Sequence, residues 1–221
     1  MALIPSRFLV RLSLPCRYLK EIPREEQDRL LDLPETFRLD NFADWDDIKN
    51  FADVRLAWNQ SGLGFQVRVL GKQQASQGDA ARPRVSDGVA LWLDTRDARS
   101  SHRATRYCHQ FHFLPAGDGP HRDQPVVVQS KINRALQDAP TGPVHSIPFR
   151  CAAVKGGYLL EAFLPQPVLH GFDPEQNRRL GFFYAVRDSE LGEQVMSVDG
   201  DFPYWEDPSL WSVLELVGRT K

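Results

Sequence analysis

The sequence predicts an all-β protein, a single antiparallel β-sandwich. Three observations carry that reading. Apolar and polar residues alternate with period two along several short runs, most plainly in Val89-Ala90-Leu91-Trp92-Leu93. The chain has 16 Pro and 15 Gly spread along its 221 residues, too many breaks for long helices. Five Trp and thirteen Phe supply the bulky side chains that pleated, half-buried surfaces accommodate. On the order of ten strands joined by turns fits one sandwich over residues 1–221, with a β-barrel or an α+β domain as the alternatives.

The elements follow in order. Phe8 to Leu14 alternates and reads as a first strand. Pro23 to Leu33 is the one short helix expected, with Pro at its start, acids in its first turn and Leu30, Leu31 and Leu33 near its end. Phe37 to Ile48 sets Trp45 among acidic residues. Val54–Trp58, the turn Asn59–Gly62 and Leu63–Leu70 form a hairpin. Gly71 to Arg84 is a polar loop.

A strand pair then flanks a charged loop. Val89, Leu91 and Leu93 face a core, and Trp92 lies off that face. In the return strand Tyr107, His109, Phe111 and Phe113 share one face, and Cys108, Gln110 and His112 share the other. Pro115 to Pro125 is a second loop, Val126 to Val128 begins a strand, and Asn133 to Pro148 is loop-rich. Phe149–Val154 and Tyr158–Leu164 flank Gly156-Gly157 as a second hairpin. Val168 to Gly171 is a helical turn, Leu180 to Val186 is nearly all apolar and so central, Asp188 to Gly192 is a turn, and Leu210 to Val217 is the last strand.

Composition narrows the function. Net charge is -2, from 27 basic and 29 acidic residues, so no global field favours nucleic acid or an anionic membrane. No apolar stretch reaches membrane-spanning length, and the N-terminal run is too interrupted by Arg and Pro for a signal peptide. Three widely spaced cysteines do not suggest a disulfide framework. The expectation is a protein of the cytoplasm with reduced thiols.

Several clusters invite chemistry. His102, Cys108, His109 and His112 suggest a metal, but zinc requires ligands converging at about 2.0–2.3 Å, and His109 points away from Cys108 and His112 on a strand. Asp94 with Asp97, or Glu161 with Glu190 or Glu193, offer the paired carboxylates of a glycosidase, whose separation a sequence does not reveal. No nucleophile elbow or phosphate-binding glycine loop is present. No catalytic and no metal-binding residue is therefore expected. Trp205 sits in a Pro- and Asp-rich loop, where a core residue is less expected, and a flat ring there suits the C–H face of a sugar. Gln110, Arg103 and Arg106 are candidate hydrogen-bond donors beside Trp92.

LDNFADWDD, GLGFQVRV, SDGVALWLDTRD, the strand with HQF, YLLEAFLP, LGFFYAVRDSELGEQ and YWEDPSLWSVLEL, in that order, resemble carbohydrate-binding modules of family 9 and the wider DOMON-like group of immunoglobulin-like sandwiches. The resemblance spans about Phe37 to Val217. It implies a non-catalytic module that takes the end of a poly- or oligosaccharide between two Trp. Trp205 matches the second of these and Gln110 a polar contact. The first Trp falls at Arg84, a Glu contact at Ala90 and an Asn contact at Phe202. Half of the clamp is present, with Arg84 or Trp92 able to rebuild the rest, since Arg also stacks on flat groups. The expected binding set is Trp205, Gln110, Arg84, Trp92, Arg103 and Arg106. Family members often hold structural calcium, but no clean calcium loop is visible and no cofactor is assigned. The alternatives are a protein-interaction sandwich with a degenerate sugar site, and a hydrolase.

Overall fold

The computed structural model describes residues 13–24, 29–40, 50–98, 100–197 and 201–218. Their strands are β1 (Ser13–Tyr18), β2 (Ala52–Asn59), β3 (Gly62–Leu70), β4 (Gly88–Asp94), β5 (Cys108–Asp118), β6 (Gln124–Ser130), β7 (Phe149–Val154), β8 (Gly157–Pro165), β9 (Arg179–Asp188), β10 (Gly192–Val195) and β11 (Ser212–Val217). They form one hydrogen-bonded sheet in the order β6-β5-β4-β9-β11-β1-β2-β3-β8-β7, with β10 added to β9. The sheet folds over on itself. Phe113 of β5 lies 5.7 Å from Phe65 of β3 and 5.7 Å from Phe149 of β7, so the two halves face each other across the core. The architecture is a barrel-like β-sandwich.

The alternation read from the sequence sets the inner faces. Val89, Leu91 and Leu93 meet Phe65, Val67, Leu160 and Phe182 in one apolar cluster. Both hairpins stand where expected, β2 with β3 and β7 with β8. Leu180–Val186 lies inside β9, which is central between β4 and β11. Several expectations change. β5 continues through Pro115 to Asp118 with a register shift after Leu114, so the second loop shrinks to residues 119–123. β1 pairs in parallel with both β11 and β2, where an antiparallel sheet was expected throughout. The long connection from β1 to β2 allows this, because parallel neighbours need a crossover rather than a tight turn.

The first described strand overlaps the expected one at Ser13 and Leu14 and runs on to Tyr18. β1 begins at Ser13, and residues 8–12 of the expected strand lie outside the described residues, as do residues 41–49 around Trp45. The expected helix is not seen in the described ends of its span, Pro23–Arg24 and Arg29–Leu33; residues 25–28 lie outside the description. The reason is visible at Glu161 on the outer face of β8. Its carboxylate accepts hydrogen bonds from the backbone N–H groups of Leu30, Leu31 and Asp32 at 3.2, 3.0 and 3.0 Å. Gln66 accepts from Leu33 N–H at 2.9 Å. Those N–H groups are what a helix would turn back on itself. Asp32 also takes a left-handed φ of 49°.

This anchoring closes a second apolar cluster, in which Ile22, Leu31 and Leu33 cover Ala57 and Phe163. Gly64 makes the approach possible, since a Cβ there would lie 3.0 Å from Ile22 and 3.1 Å from Leu31. Glu161→Ala is expected to lower stability by about 2–3 kcal/mol, because it strips three backbone donors of their acceptor. Proteolysis should then start within residues 29–33. A variant with unchanged urea midpoint and cleavage pattern would show that the carboxylate is dispensable.

Candidate functional site

The outer face of the other half of the sheet is not solvated like an ordinary β-surface. On β4, Ala90 and Trp92 point outward. Ala90 is paired across to His112 of β5 and Ala185 of β9, and Trp92 to Gln110 and Phe183. The segment after residue 200 folds over part of this floor. Tyr204 stacks on Phe183 with centroids 4.4 Å apart and meets Trp92 edge-on at 5.5 Å. Trp211 pins the segment by donating its indole N–H to the Tyr204 carbonyl at 2.8 Å. Asp207 caps the short 3-10 turn Pro208–Leu210 by accepting from Ser209 N–H at 2.9 Å. Trp205, half-buried and edge-on to Tyr204 at 5.3 Å, is carried out as a wall.

The facing wall is the 3-10 turn Pro83–Val85. Ser86 holds it by donating to Arg82 O at 3.0 Å and accepting from Asp79 N–H at 2.9 Å. The exposed Arg84 donates Nη2 to the Lys131 carbonyl at 3.1 Å. Arg187 and Glu193, paired at 2.7 Å, form part of the lining. Together these enclose a cleft of about 290 Å³, at the small end of the range for small-molecule sites.

The floor is polar as well as aromatic. Gln110 Nε2 lies 3.1 Å from His112 Nε2. Burial lowers the His112 pKa to about 4, and the charges of Arg84 and Arg187 push in the same direction. His112 is therefore neutral at pH 7, and its Nε2 accepts from the Gln110 amide. Trp92 Nε1 and Gln110 Oε1 are buried without a hydrogen-bond partner among the described residues. Such orphaned polar atoms are uncommon in folded proteins.

Of the residues singled out from the sequence, Arg84, Trp92, Gln110 and Trp205 line this one cleft. Trp92 is 4% exposed and forms floor rather than wall. Arg103 and Arg106 are not among its lining residues. Arg103 donates to the carbonyls of Arg134 and Ala135 at 2.8 and 3.3 Å. Arg106 donates to His170 Nε2 at 3.1 Å and lies over the Tyr107 ring. The loop that carries them leaves from the end of β4, whereas the cleft occupies the face of the sheet.

Tyr204, His112, Arg187 and Glu193 were not expected in the site. His112 shares a strand face with Gln110, so its placement was readable. Arg187 required knowledge that β9 pairs with β4.

The other chemical candidates disperse. His109 lies in the core, donating Nε2–H to the His170 carbonyl at 3.2 Å. Burial pushes the Cys108 thiol up to about 12, and Asp94 adds to the shift. Among the described residues no three His, Cys, Asp or Glu side chains converge to hold a metal. Asp94 caps the N–H groups of Arg96 and Ala98, and Asp97 pairs with Arg179. Glu161 anchors residues 30–32, while Glu190 accepts from Gln73 and Gln74 N–H on another part of the surface. His102, Asp207 and Ser209 meet, but Asp207 Oδ2 and Ser209 Oγ both contact Nδ1, at 3.1 and 3.0 Å. A proton relay needs the acid and the nucleophile on opposite ring nitrogens.

No protein-family sequence model matches the chain, and no curated protein sequence does. Among the solved structures that resemble it over nearly its whole length are two family 9 modules. One is a family 9 carbohydrate-binding module from Caldicellulosiruptor kristjanssonii in complex with cellotriose: TM-score 0.63, 16% identity, 95% of each chain covered. The other is a family 9 module from the same organism in complex with glucose: TM-score 0.61, 15% identity, 95% of this chain and 97% of that one covered. At such identities the likeness speaks to architecture, and the chain has the β-sandwich fold of the family 9 carbohydrate-binding modules.

Proposed function

We propose that the chain is a non-catalytic binding module for the end of a poly- or oligosaccharide, held in the cleft between Trp205 and Arg84. The observation that carries this is the convergence of Arg84, Trp92, Gln110 and Trp205, from four separate segments, on one small cavity. The half-buried indole of Trp205 on the wall offers stacking to the C–H side of a pyranose, and Gln110 in the floor offers hydrogen bonds to its hydroxyls. Arg84 on the facing wall supplies further hydrogen-bond donors. Two structural neighbours were solved with cellotriose and with glucose, which supports a saccharide in the corresponding fold.

Trp205→Ala should weaken binding of cellobiose or xylobiose about 30-fold, read by tryptophan fluorescence titration, with the far-ultraviolet dichroism unchanged. A wild-type protein that binds nothing on a broad glycan array would end this reading.

One feature favours protein recognition instead. Val85, on the cleft lip beside Arg84, is 71% exposed. A blank glycan array together with one protein partner whose binding is lost in Val85→Glu would select that alternative.

A further inference from the structure

The charged lining of the cleft is asymmetric. It consists of Arg84, Arg187 and Glu193. Arg187 and Glu193 neutralise each other at 2.7 Å. Arg84 has no carboxylate within salt-bridge distance among the described residues, and its contact at 3.1 Å is a neutral backbone carbonyl. That contact engages one of the five donors of a guanidinium and steadies the fork. Among the described residues, the cleft therefore carries one uncompensated positive charge on a held side chain.

Two further observations agree. The proton on His112 is opposed by burial and by both Arg84 and Arg187, so their field reaches the floor. Among the described residues the lining also lacks a free carboxylate: its one acid, Glu193, is already committed. Hydroxyls of a neutral sugar donate as often as they accept. A cleft whose strongest unspent group is a charged donor suits a ligand whose strongest group is an acceptor. The flat indole of Trp205 and the apolar Val85 and Ala90 would be wasted on a bare anion.

We infer that the cleft selects a saccharide bearing a carboxylate, a uronic acid residue, with Arg84 anchoring the carboxylate while Trp205 stacks on the ring. This rests on the carbohydrate reading above and adds the charge class of the sugar.

The test compares cellobiuronic acid with cellobiose, identical but for the terminal carboxylate, by calorimetric titration of the wild type and Arg84→Gln. The acid is expected to bind about tenfold more tightly. That advantage should shrink in high salt and vanish in Arg84→Gln, a surface change expected to leave the dichroism spectrum intact. Equal affinity for the two sugars would overturn the inference while leaving the carbohydrate reading in place. So would an acid preference that survives in Arg84→Gln. Acetate or inorganic phosphate competing as well as the uronic acid would reduce the site to a simple anion pocket and also overturn it. Failure of both sugars to bind would remove the carbohydrate reading, and the inference with it.

Discussion

Lys72→Met is expected to unfold at a much lower denaturant concentration than the wild type, with a loss of about 3–5 kcal/mol. Lys72 follows β3 and is only 7% exposed. Its ammonium sits 2.7 Å from Asp188 Oδ2 and 3.3 Å from Asp87 Oδ2, and both carboxylates are 2% exposed. Asp87 also accepts from Gln77 N–H, Ser189 N–H and the Ser189 hydroxyl, and Asp188 accepts from the N–H groups of Glu190 and Leu191. One cation thus ties together the end of β3, the approach to β4 and the end of β9. Removing it leaves two buried anions facing each other.

Burial works against the lysine's charge, but the two carboxylates outweigh it and hold the pKa above the ordinary value. The sign follows. The folded state keeps the proton more tightly than the unfolded chain, so this contribution is intact at neutral pH and is lost only as pH rises through the elevated pKa. Lys72→Met with Asp87→Asn and Asp188→Asn should recover most of the loss, because the trouble lies in the uncompensated anions. A single variant within about 1 kcal/mol of wild type in urea would refute this account. The cluster matters for the site because Asp87 lies between the lining residues Ser86 and Gly88, and Asp188 follows Arg187. A partly folded Lys72 variant should lose ligand binding before it loses its β-sheet signal.

Mild acid is expected to destabilise the protein steeply between pH 6.5 and 4.5. His109 and His112 are both buried, and burial lowers each pKa to about 4; Arg84 and Arg187 add to the effect at His112. A depressed histidine pKa means that the unfolded chain takes up protons which the folded one refuses. Stability is therefore full above the unfolded value near 6.5, falls with pH, and levels off below about 4. Each histidine contributes about 2.5 kcal/mol of loss at pH 4.5 by this linkage. Asp94, whose carboxyl is raised mainly by burial, works in the opposite sense as it protonates in the folded state.

Guanidinium unfolding at pH 7 and 4.5 reads the difference, and His112→Gln should remove about half of the slope. A midpoint that does not move across this interval would contradict the buried neutral imidazoles. An anionic ligand beside Arg84 would ease the repulsion on His112, so acid tolerance should improve when the cleft is filled by one.

The fold was largely legible in the chain. Period-two alternation in Val89–Leu93 and Phe111–Phe113 reports directly which residues face the core, because successive Cβ atoms on a strand take opposite sides. Short turns such as Asn59–Gly62 and Gly156-Gly157 join strands that are neighbours in space, so both hairpins could be read locally. The expected helix at Pro23–Leu33 fails in its described ends for the opposite reason. Its Pro, acids and leucines satisfy the local signature of a helix start, but the partner that wins the backbone N–H groups is Glu161, some 130 residues away. The extra strand length at Pro115–Asp118 was hidden by Pro and Gly, which read as loop but are tolerated at an irregular strand end.

The site divides along the same line. The chain already carried the candidates: a loop tryptophan at 205, an arginine at 84, a glutamine at 110 on the face away from the core, and an outward Trp92. It also determined the sandwich, since alternation and turn spacing are local properties. Which of these residues meet is a property of the folded chain. Folding brought Arg187 and Glu193 to the cleft through the pairing of β9 with β4 and β10, laid Tyr204 over Phe183, and sent Arg103 and Arg106 elsewhere. It also left Arg84 without an acid partner among the described residues, and so gave the cleft its charge. Alternation assigns a side chain to a face, whereas a binding site is made by strands and loops distant in sequence. Their pairing depends on burial and hydrogen bonding across the whole sheet.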